Sequence, residues 1–461
     1  MSAHDLLPDG LASAVETASG ARVVAARPRG GGGASREGAE LDLVWPDGRT
    51  ASAYMNYDVQ KAGAGDDAAF MREAAILRAL SGPLAKSGVK VAPFLAAVPE
   101  QRALICGLVG GKDRFGGITD GVLRDTIAAD FMKQLALLHR IDIAANPVDG
   151  MGAVEHADGL IRRRITELRS SNSGKRWDPL IHLSLDWLEA NIPAGMPAPV
   201  IVHGDAGPGN FLYDGDRVTA LLDWELVHYG DPMADLAMLC LRILFQGFIP
   251  LPKAFAAYEA AGGYPVDIAR IRYWRLLFQT GFARRARYDD PEAPPPPNLG
   301  MNLVYSTIHR RVLSEALAEA AGVTLPPVSL PEAPPGARDR SFAIALDDIR
   351  DTIVPRIADQ QAAVKAKGLA RLIKLWRATE RYQPGFHAVE KAEIEAALGV
   401  GFEDHAAAWS AYRDAVATGA VDVTTAIILC NAHEAREAAL MADAMGGIAQ
   451  TGFAPLDESE G

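Results

Sequence analysis

Cysteine is scarce: three in 461 residues, Cys106, Cys240 and Cys430, far apart and each in an apolar setting. That spacing gives neither a disulfide framework nor a paired-thiolate metal site, so buried reduced thiols are expected. Uninterrupted apolar runs of bilayer length are also missing. The most hydrophobic long segment, Met233 to Leu251, is broken by Asp235, Arg242 and Gln246, which fits a buried helix better than a membrane span. Met1 to Gly10 lacks a basic region followed by an apolar core, so no secretory signal is expected, and the chain reads as soluble and cytoplasmic with no membrane partner. Positive charge is in deficit, with 46 Lys and Arg against 58 Asp and Glu and a formal charge of −12. A general nucleic-acid binder would carry a basic footprint instead. The 49% apolar and 23% charged content is that of an ordered chain, long enough for two or three domains.

Chemistry concentrates in one short stretch. Val202-His203-Gly204-Asp205-Ala206-Gly207-Pro208-Gly209-Asn210-Phe211 is followed by Leu222-Asp223-Trp224-Glu225. Pro199–Val202, Phe211–Tyr213 and Ala220–Leu222 are apolar runs bounded by turn formers and predict buried strands. Asp214-Gly215-Asp216-Arg217 supplies a hairpin turn, which brings Asn210 back beside Asp223. An acid, an amide and a second acid at neighbouring strand ends are what metal-assisted phosphoryl transfer needs. One carboxylate accepts a hydroxyl proton, and an amide oxygen with another carboxylate holds magnesium against nucleotide phosphates. The bland alternative is that these are buried turn residues, but two carboxylates beside an asparagine are costly to bury without a cation.

His-x-Asp, four residues, Asn, and then Asp after a hairpin has the spacing of the protein-kinase catalytic loop, with Asp223-Trp224-Glu225 where kinases carry Asp-Phe-Gly. With Gly230-Asp231-Pro232-x-x-Asp235-Leu236-Ala237, the chain resembles the aminoglycoside phosphotransferase and choline kinase group of small-molecule kinases over about residues 20 to 322. The resemblance implies an α+β, bilobed protein-kinase-like fold, with a small β-rich N-lobe over residues 1–109 and a larger, mostly helical C-lobe over 110–324. A Pro-rich linker, 325–339, would then lead to an all-α C-terminal domain, 340–461, mediating self-association or binding a protein partner. It implies Asp205 as catalytic base, His203 and Asp235 as loop supports, and Asn210 and Asp223 as Mg2+ ligands. ATP or GTP would be the phosphoryl donor and a small-molecule hydroxyl the acceptor.

In such a kinase, backbone amides of a glycine-rich hairpin cover the phosphates, a part that Gly31, Gly32, Gly33 and Ser35 would take. Adenine would meet backbone around Cys106 to Leu108. The sequence departs from the family on the next strand, where Ala53-Tyr54-Met55-Asn56-Tyr57 puts Asn56 in the usual place of the phosphate-gripping cation. Lys61 and Arg49 are the nearest replacements. Glu73 matches the acid that normally pairs with that cation, yet reads as an ordinary exposed helical glutamate. His139 reads as a hydrogen-bonded packing residue.

The acceptor is less legible. Arg162-Arg163-Arg164, Arg284-Arg285 with Arg287, and His309-Arg310-Arg311 read singly as solvated helix faces. If they converged they would suit an anionic acceptor such as a hydroxyacyl-coenzyme A, a class the resemblance admits because similar domains occur fused to acyl-CoA dehydrogenases. Aminoglycoside-like acceptors are the other class. Helical patterns at Phe342–Ala366, Leu369–Arg381, His387–Leu398 and Val423–Met445 carry no readable chemistry. His433, Glu434 and Glu437 lack the second histidine of a zinc helix and read as a solvated face, while Trp376, Trp409 and Tyr412 read as packing. The rival reading is a catalytically idle nucleotide sensor or scaffold working through its helical tail.

Overall fold

Strand alternation in the first hundred residues builds the scaffold of the site. The computed structural model describes residues 6–29, 36–58, 67–283 and 296–457. By packing, the chain divides into two units: Met1–Leu160 with Gly195–Ile271 and Ala454–Gly461, and Ile161–Ala194 with Arg272–Phe453.

In the first unit, β1 (Arg22–Arg29), β2 (Glu37–Val44), β3 (Thr50–Tyr57), β4 (Phe94–Val98) and β5 (Ala103–Gly107) form one antiparallel sheet in the order β1-β2-β3-β5-β4. Every second residue points to a shared core: Ala39, Leu41 and Leu43 from β2 and Ala53, Met55 and Tyr57 from β3 pack with Leu11 and Val15 of α1 (Leu11–Ser19). Gly38, Glu40, Asp42, Tyr54 and Asn56 therefore share the opposite face. The segment Lys90–Phe94 does not pair along its length as a strand: it makes the isolated bridge from Val91 to Leu221, and β4 begins at Phe94. Pro93 explains the shift, since it can accept from the Gly107 N–H but has none to donate.

After helix α2 (Asp67–Ser81) and β5, the chain enters a largely helical region. Helix α3 (Gly121–His139), capped by Asp120, packs on α7 (Leu251–Ala260) and on the hairpin β7 (Phe211–Asp214) and β8 (Arg217–Leu221). Strands β6 (Val200–Val202) and β9 (His228–Gly230) pair beside it, and α6 (Pro232–Arg242), buried almost throughout, packs under β6. A small antiparallel sheet joined to a helical layer that carries the β7–β8 hairpin is the bilobed protein-kinase-like fold. Helices α4 (Ala157–Ser171) and α8 (Ile268–Phe282) contain the points at which the two units part.

Among the described residues the second unit has helices and no strand: α5 (Pro179–Ala190), α9 (Leu299–Ala321), α10 (Asp339–Asp347), α11 (Gln360–Leu398), α12 (His405–Thr418) and α13 (Val423–Met445). Helix α13 lies against both α9 and α11. The segment 340–461 thus shares its core with α5 and α9, which the sequence reading had placed in the C-lobe. Leu369–Arg381 and His387–Leu398 are not separate helices. They belong to the 39-residue α11, which runs through Pro384; packing along its length outweighs the one backbone bond proline removes. Trp376, read as packing, is 53% exposed, whereas Tyr412 is fully buried and Trp409 stacks on His433. Glu434 and His433 do not form a solvated face. Glu434 is buried against Arg310, and His433 bonds Glu390. Among the described residues no helix is long and apolar enough to cross a membrane. Among the described residues no cysteine forms a disulfide, and Cys240 and Cys430 are buried.

Candidate active site

The segment from β6 to α6 is one hydrogen-bonded assembly. Gly204 has φ +86°, and a Cβ there would lie 2.2 Å from the Leu226 carbonyl oxygen, so the tight entry to the loop requires glycine. Asp235, on the first turn of α6, fixes that entry. Its two carboxylate oxygens accept the His203 and Gly204 N–H groups, each at 2.8 Å, and His139 Nε2 lies 2.9 Å from Oδ2. Burial opposes the charge, but these donors hold the Asp235 carboxyl below the usual range. His139 is completed by the Tyr258 hydroxyl at 2.7 Å from Nδ1. The His203 ring packs on Trp224 and its Nδ1 accepts the Asp205 N–H at 3.3 Å. Burial lowers the His203 pKa, which favours the neutral ring.

Asp205 and Asn210 meet directly. Asn210 Nδ2 donates to the Asp205 carbonyl at 2.9 Å and to Oδ2 at 2.6 Å. The β7–β8 register pairs Phe211 with Leu221, and the Leu222 N–H donates to the Asn210 carbonyl at 2.8 Å, which brings Asp223 beside Asn210 as the hairpin predicts. Asp223 takes φ +62°, a left-handed conformation that costs a non-glycine residue about 1 kcal/mol. Its carboxylate is exposed and makes no hydrogen bond or ion pair among the described residues.

One principal member of the site was not foreseen. Arg242, at the end of α6, reaches back to the loop. Its Nη1 donates to Asp205 Oδ2, and its Nη2 donates to Asn210 Oδ1 and to the Pro208 carbonyl, all at 3.0 Å. Gly207 makes room for it, because a Cβ there would lie 2.7 Å from Arg242 Cβ. The signal was present in the sequence: Asp235 and Arg242 are seven residues apart, two helical turns, and so share one face of an otherwise apolar helix. With Oδ2 held by Asn210 and Arg242, Asp205 Oδ1 has no partner among the described residues, and the side chain keeps 15% of its surface exposed. Burial pushes the Asp205 carboxyl up to about 6, against the pull of Arg242 and with a further push from Asp223.

A second correction concerns Glu73. It is not an exposed helical glutamate but 3% exposed, accepting Arg36 Nη1 at 2.7 Å on Oε2. Arg36 Nη2 stands 3.9 Å from Glu225 of the Asp223-Trp224-Glu225 turn. Arg49 stacks on Trp45 in the β2–β3 turn. Leu108 donates its N–H to Ser52 and Gly107 donates its N–H to Pro93, so their amides are already engaged. Cys106 lies on β5 opposite Tyr54. Gly31, Gly32, Gly33, Ser35 and Lys61, and also Arg284, Arg285 and Arg287, lie outside the described residues. His309-Arg310-Arg311 is not a solvated cluster. Arg310 is buried between Glu434 and Asp178, Arg311 pairs with Glu315, and His309 meets Gln279.

Residues 51–274 match the model of the phosphotransferase enzyme family. This segment is a phosphotransferase-family domain. Curated relatives that match the chain include acyl-CoA dehydrogenase family member 10 of Mus musculus, 27% identical over 135 residues, 29% of this chain and 12% of that protein. Others are the probable acyl-CoA dehydrogenase IBR3 of Arabidopsis thaliana, 26% identical over 181 residues, 33% and 22%, and acyl-CoA dehydrogenase family member 11 of Gallus gallus, 33% identical over 110 residues, 23% and 14%. The matched region therefore spans less than a quarter of each of these relatives. Among solved structures, aminoglycoside phosphotransferase APH(4)-Ia with ADP and hygromycin B aligns at TM-score 0.46 and 14% identity, over 68% of this chain and 99% of that one. Macrolide 2'-phosphotransferase MphH from Brachybacterium faecium aligns at 0.40 and 20%, over 68% and 95%.

The donor set of the domain fits a hard divalent ion. Asn210 Oδ1 and the Asp223 carboxylate could serve as its oxygen donors, and no group of three or more His, Cys, Asp or Glu among the described residues makes an all-protein cage. Magnesium is commonly held in that way, by one or two protein oxygens together with substrate phosphates and water.

Proposed function

We propose that this chain is an ATP- or GTP-dependent, magnesium-assisted phosphotransferase that moves the γ-phosphoryl group to a hydroxyl of a small molecule. The observation that carries this reading is the asymmetric engagement of Asp205: Oδ2 is held by Asn210 and Arg242 while Oδ1 is left for a substrate. The acceptor hydroxyl gives its proton to Oδ1 as its oxygen bonds to the γ-phosphorus, and the bond to the β,γ-bridging oxygen breaks with its electron pair leaving on the nucleoside diphosphate. Arg242 and Asn210 hold the carboxylate in one orientation, so catalysis is chiefly positioning and charge neutralisation. Magnesium, held by Asn210 and Asp223, would supply charge neutralisation at the phosphate oxygens. With the Gly107 and Leu108 amides engaged, base recognition at the β5 exit would fall to carbonyl oxygens.

For the acceptor, support for a hydroxyacyl thioester comes from the acyl-CoA dehydrogenase names of the relatives and no longer from His309-Arg310-Arg311, whose arginines are paired internally. Two measurements test the proposal. Magnesium with ATP or GTP at 100 times its dissociation constant should stabilise the fold by about 2.7 kcal/mol. Acceptor-dependent ADP or GDP release should appear in a panel of amino sugars, amino alcohols and hydroxyacyl thioesters. A chain that binds no nucleotide with magnesium would end the reading. Binding without turnover on any acceptor would favour an idle sensor, for which the neutral Asn56 is the supporting observation.

A further inference from the structure

The triphosphate needs a cation besides magnesium, and β3 offers the neutral Asn56 where that cation is expected. The sheet register supplies a candidate from the neighbouring strand. Gly38 of β2 is directly opposite Asn56 of β3 and shares its face. Arg36 immediately precedes β2, two residues before Gly38, in step with the face turned away from the core built by Ala39, Leu41 and Leu43. Its side chain is 17% exposed and is drawn inward by Glu73, itself 3% exposed, through the 2.7 Å bond from Nη1. The Nη2 group, 3.9 Å from Glu225, is too far for a hydrogen bond and retains donors. Asp223 and Glu225 both lie close enough to favour the Arg36 charge, so the guanidinium stands between helix α2 and the turn bearing the magnesium ligand. Arg242 is already occupied by Asp205, Asn210 and Pro208.

We propose that Arg36 grips the α- and β-phosphates of the nucleotide, taking over from β2 the task vacant at Asn56, with Glu73 fixing the guanidinium in place. This rests on the phosphotransferase reading. The pairing of a cation with the helix α2 acid is retained, but its origin has moved one strand across. A planar guanidinium suits the task, because one edge can hold Glu73 while the other donates to phosphate oxygens.

The test is binding of MgATP, MgADP and adenosine to the full chain and to Arg36→Gln, followed calorimetrically. Arg36→Gln should weaken MgATP and MgADP by about 10- to 100-fold and leave adenosine, which has no phosphate, within about twofold. Adding Asn56→Lys to Arg36→Gln should restore at least part of the loss, since it returns the charge to β3. Unchanged MgATP binding in Arg36→Gln would overturn the proposal. Equal loss of adenosine and MgATP would overturn it too, since Arg36 would then only hold Glu73. Should Arg36→Gln fail to fold, Arg36→Lys carries the test: the charge remains without the fork, MgATP should weaken several-fold and adenosine should not, and no change would sink the idea. If the unaltered chain binds neither MgATP nor adenosine, the phosphotransferase reading itself falls.

Discussion

At the scale of single residues, the proposed chemistry divides between groups that would meet the substrate and groups that hold them. Asp205→Asn removes the proton acceptor but preserves shape, and turnover should fall by on the order of 100-fold or more with nucleotide affinity largely intact. Steady-state kinetics beside a nucleotide titration would show this; unchanged turnover would strip Asp205 of the role. Arg242→Gln leaves Asp205 Oδ2 with Asn210 alone and frees Asn210 Oδ1. Turnover should drop by about 10-fold or more, because a carboxylate held by one donor samples more orientations. The KM for nucleotide should move much less, and a change confined to KM would place Arg242 in binding instead. Both residues illustrate why a pattern of types is only part of a site. His203-x-Asp205 and Asn210 are legible from spacing, whereas Arg242 reads in sequence as an interruption of a hydrophobic helix and only the fold places its guanidinium on the loop.

At the scale of elements, helix α6 and the loop above it behave as one part. Asp235 is fully buried and satisfies two backbone N–H groups and His139. Asp235→Asn would turn an amide toward donors, and should cost about 3–5 kcal/mol in denaturant unfolding; a loss under 1 kcal/mol would mean the loop is held from elsewhere. In the second unit α11, α12 and α13 are joined at Glu390, whose carboxylate meets His405 Nε2 and His433 Nδ1, with Arg436 3.9 Å away. Burial pushes the Glu390 carboxyl up, but the hydrogen bonds and charges of His433 and His405 outweigh it and hold it down at about 2. A carboxyl lowered on folding stabilises fully above its unfolded value and loses that contribution as pH falls toward the folded one. Stability should therefore decline between pH 4.5 and about 2 by on the order of 3 kcal/mol through this group, and Glu390→Gln should flatten that part of the curve. Identical acid unfolding of the two proteins would rule the cluster out as a contributor.

At the scale of the molecule, the phosphotransferase-family segment and the packing units do not coincide. Helices α5 and α9 share a core with α11 and α13, and Arg310 of α9 is buried with Glu434 of α13 and Asp178 at the start of α5. Removing residues 340–461 should therefore uncover the face of α9 that carries Arg310 and Ser314, the latter bonded to Asn431, and strand the Arg310 charge. The shortened chain is expected to aggregate or to lose a cooperative unfolding transition. A soluble 1–339 fragment with a sharp transition would show that the long helices are a detachable appendage after all.

What the residues alone determined is local. Asp205 and Asn210 are five apart, and one tight hairpin separates Asn210 from Asp223, so spacing and turn chemistry suffice to bring them together. What the tertiary structure decided lies between distant segments: Arg36 with Glu73 and Arg242 with Asp205, each 37 residues apart, Arg310 with Glu434, 124 apart, and the passage of α11 through Pro384. The physical reason is that local rules fix backbone course and facing direction over a few residues. Which charge meets which carboxylate depends on how packed elements cross, and no short-range propensity encodes that.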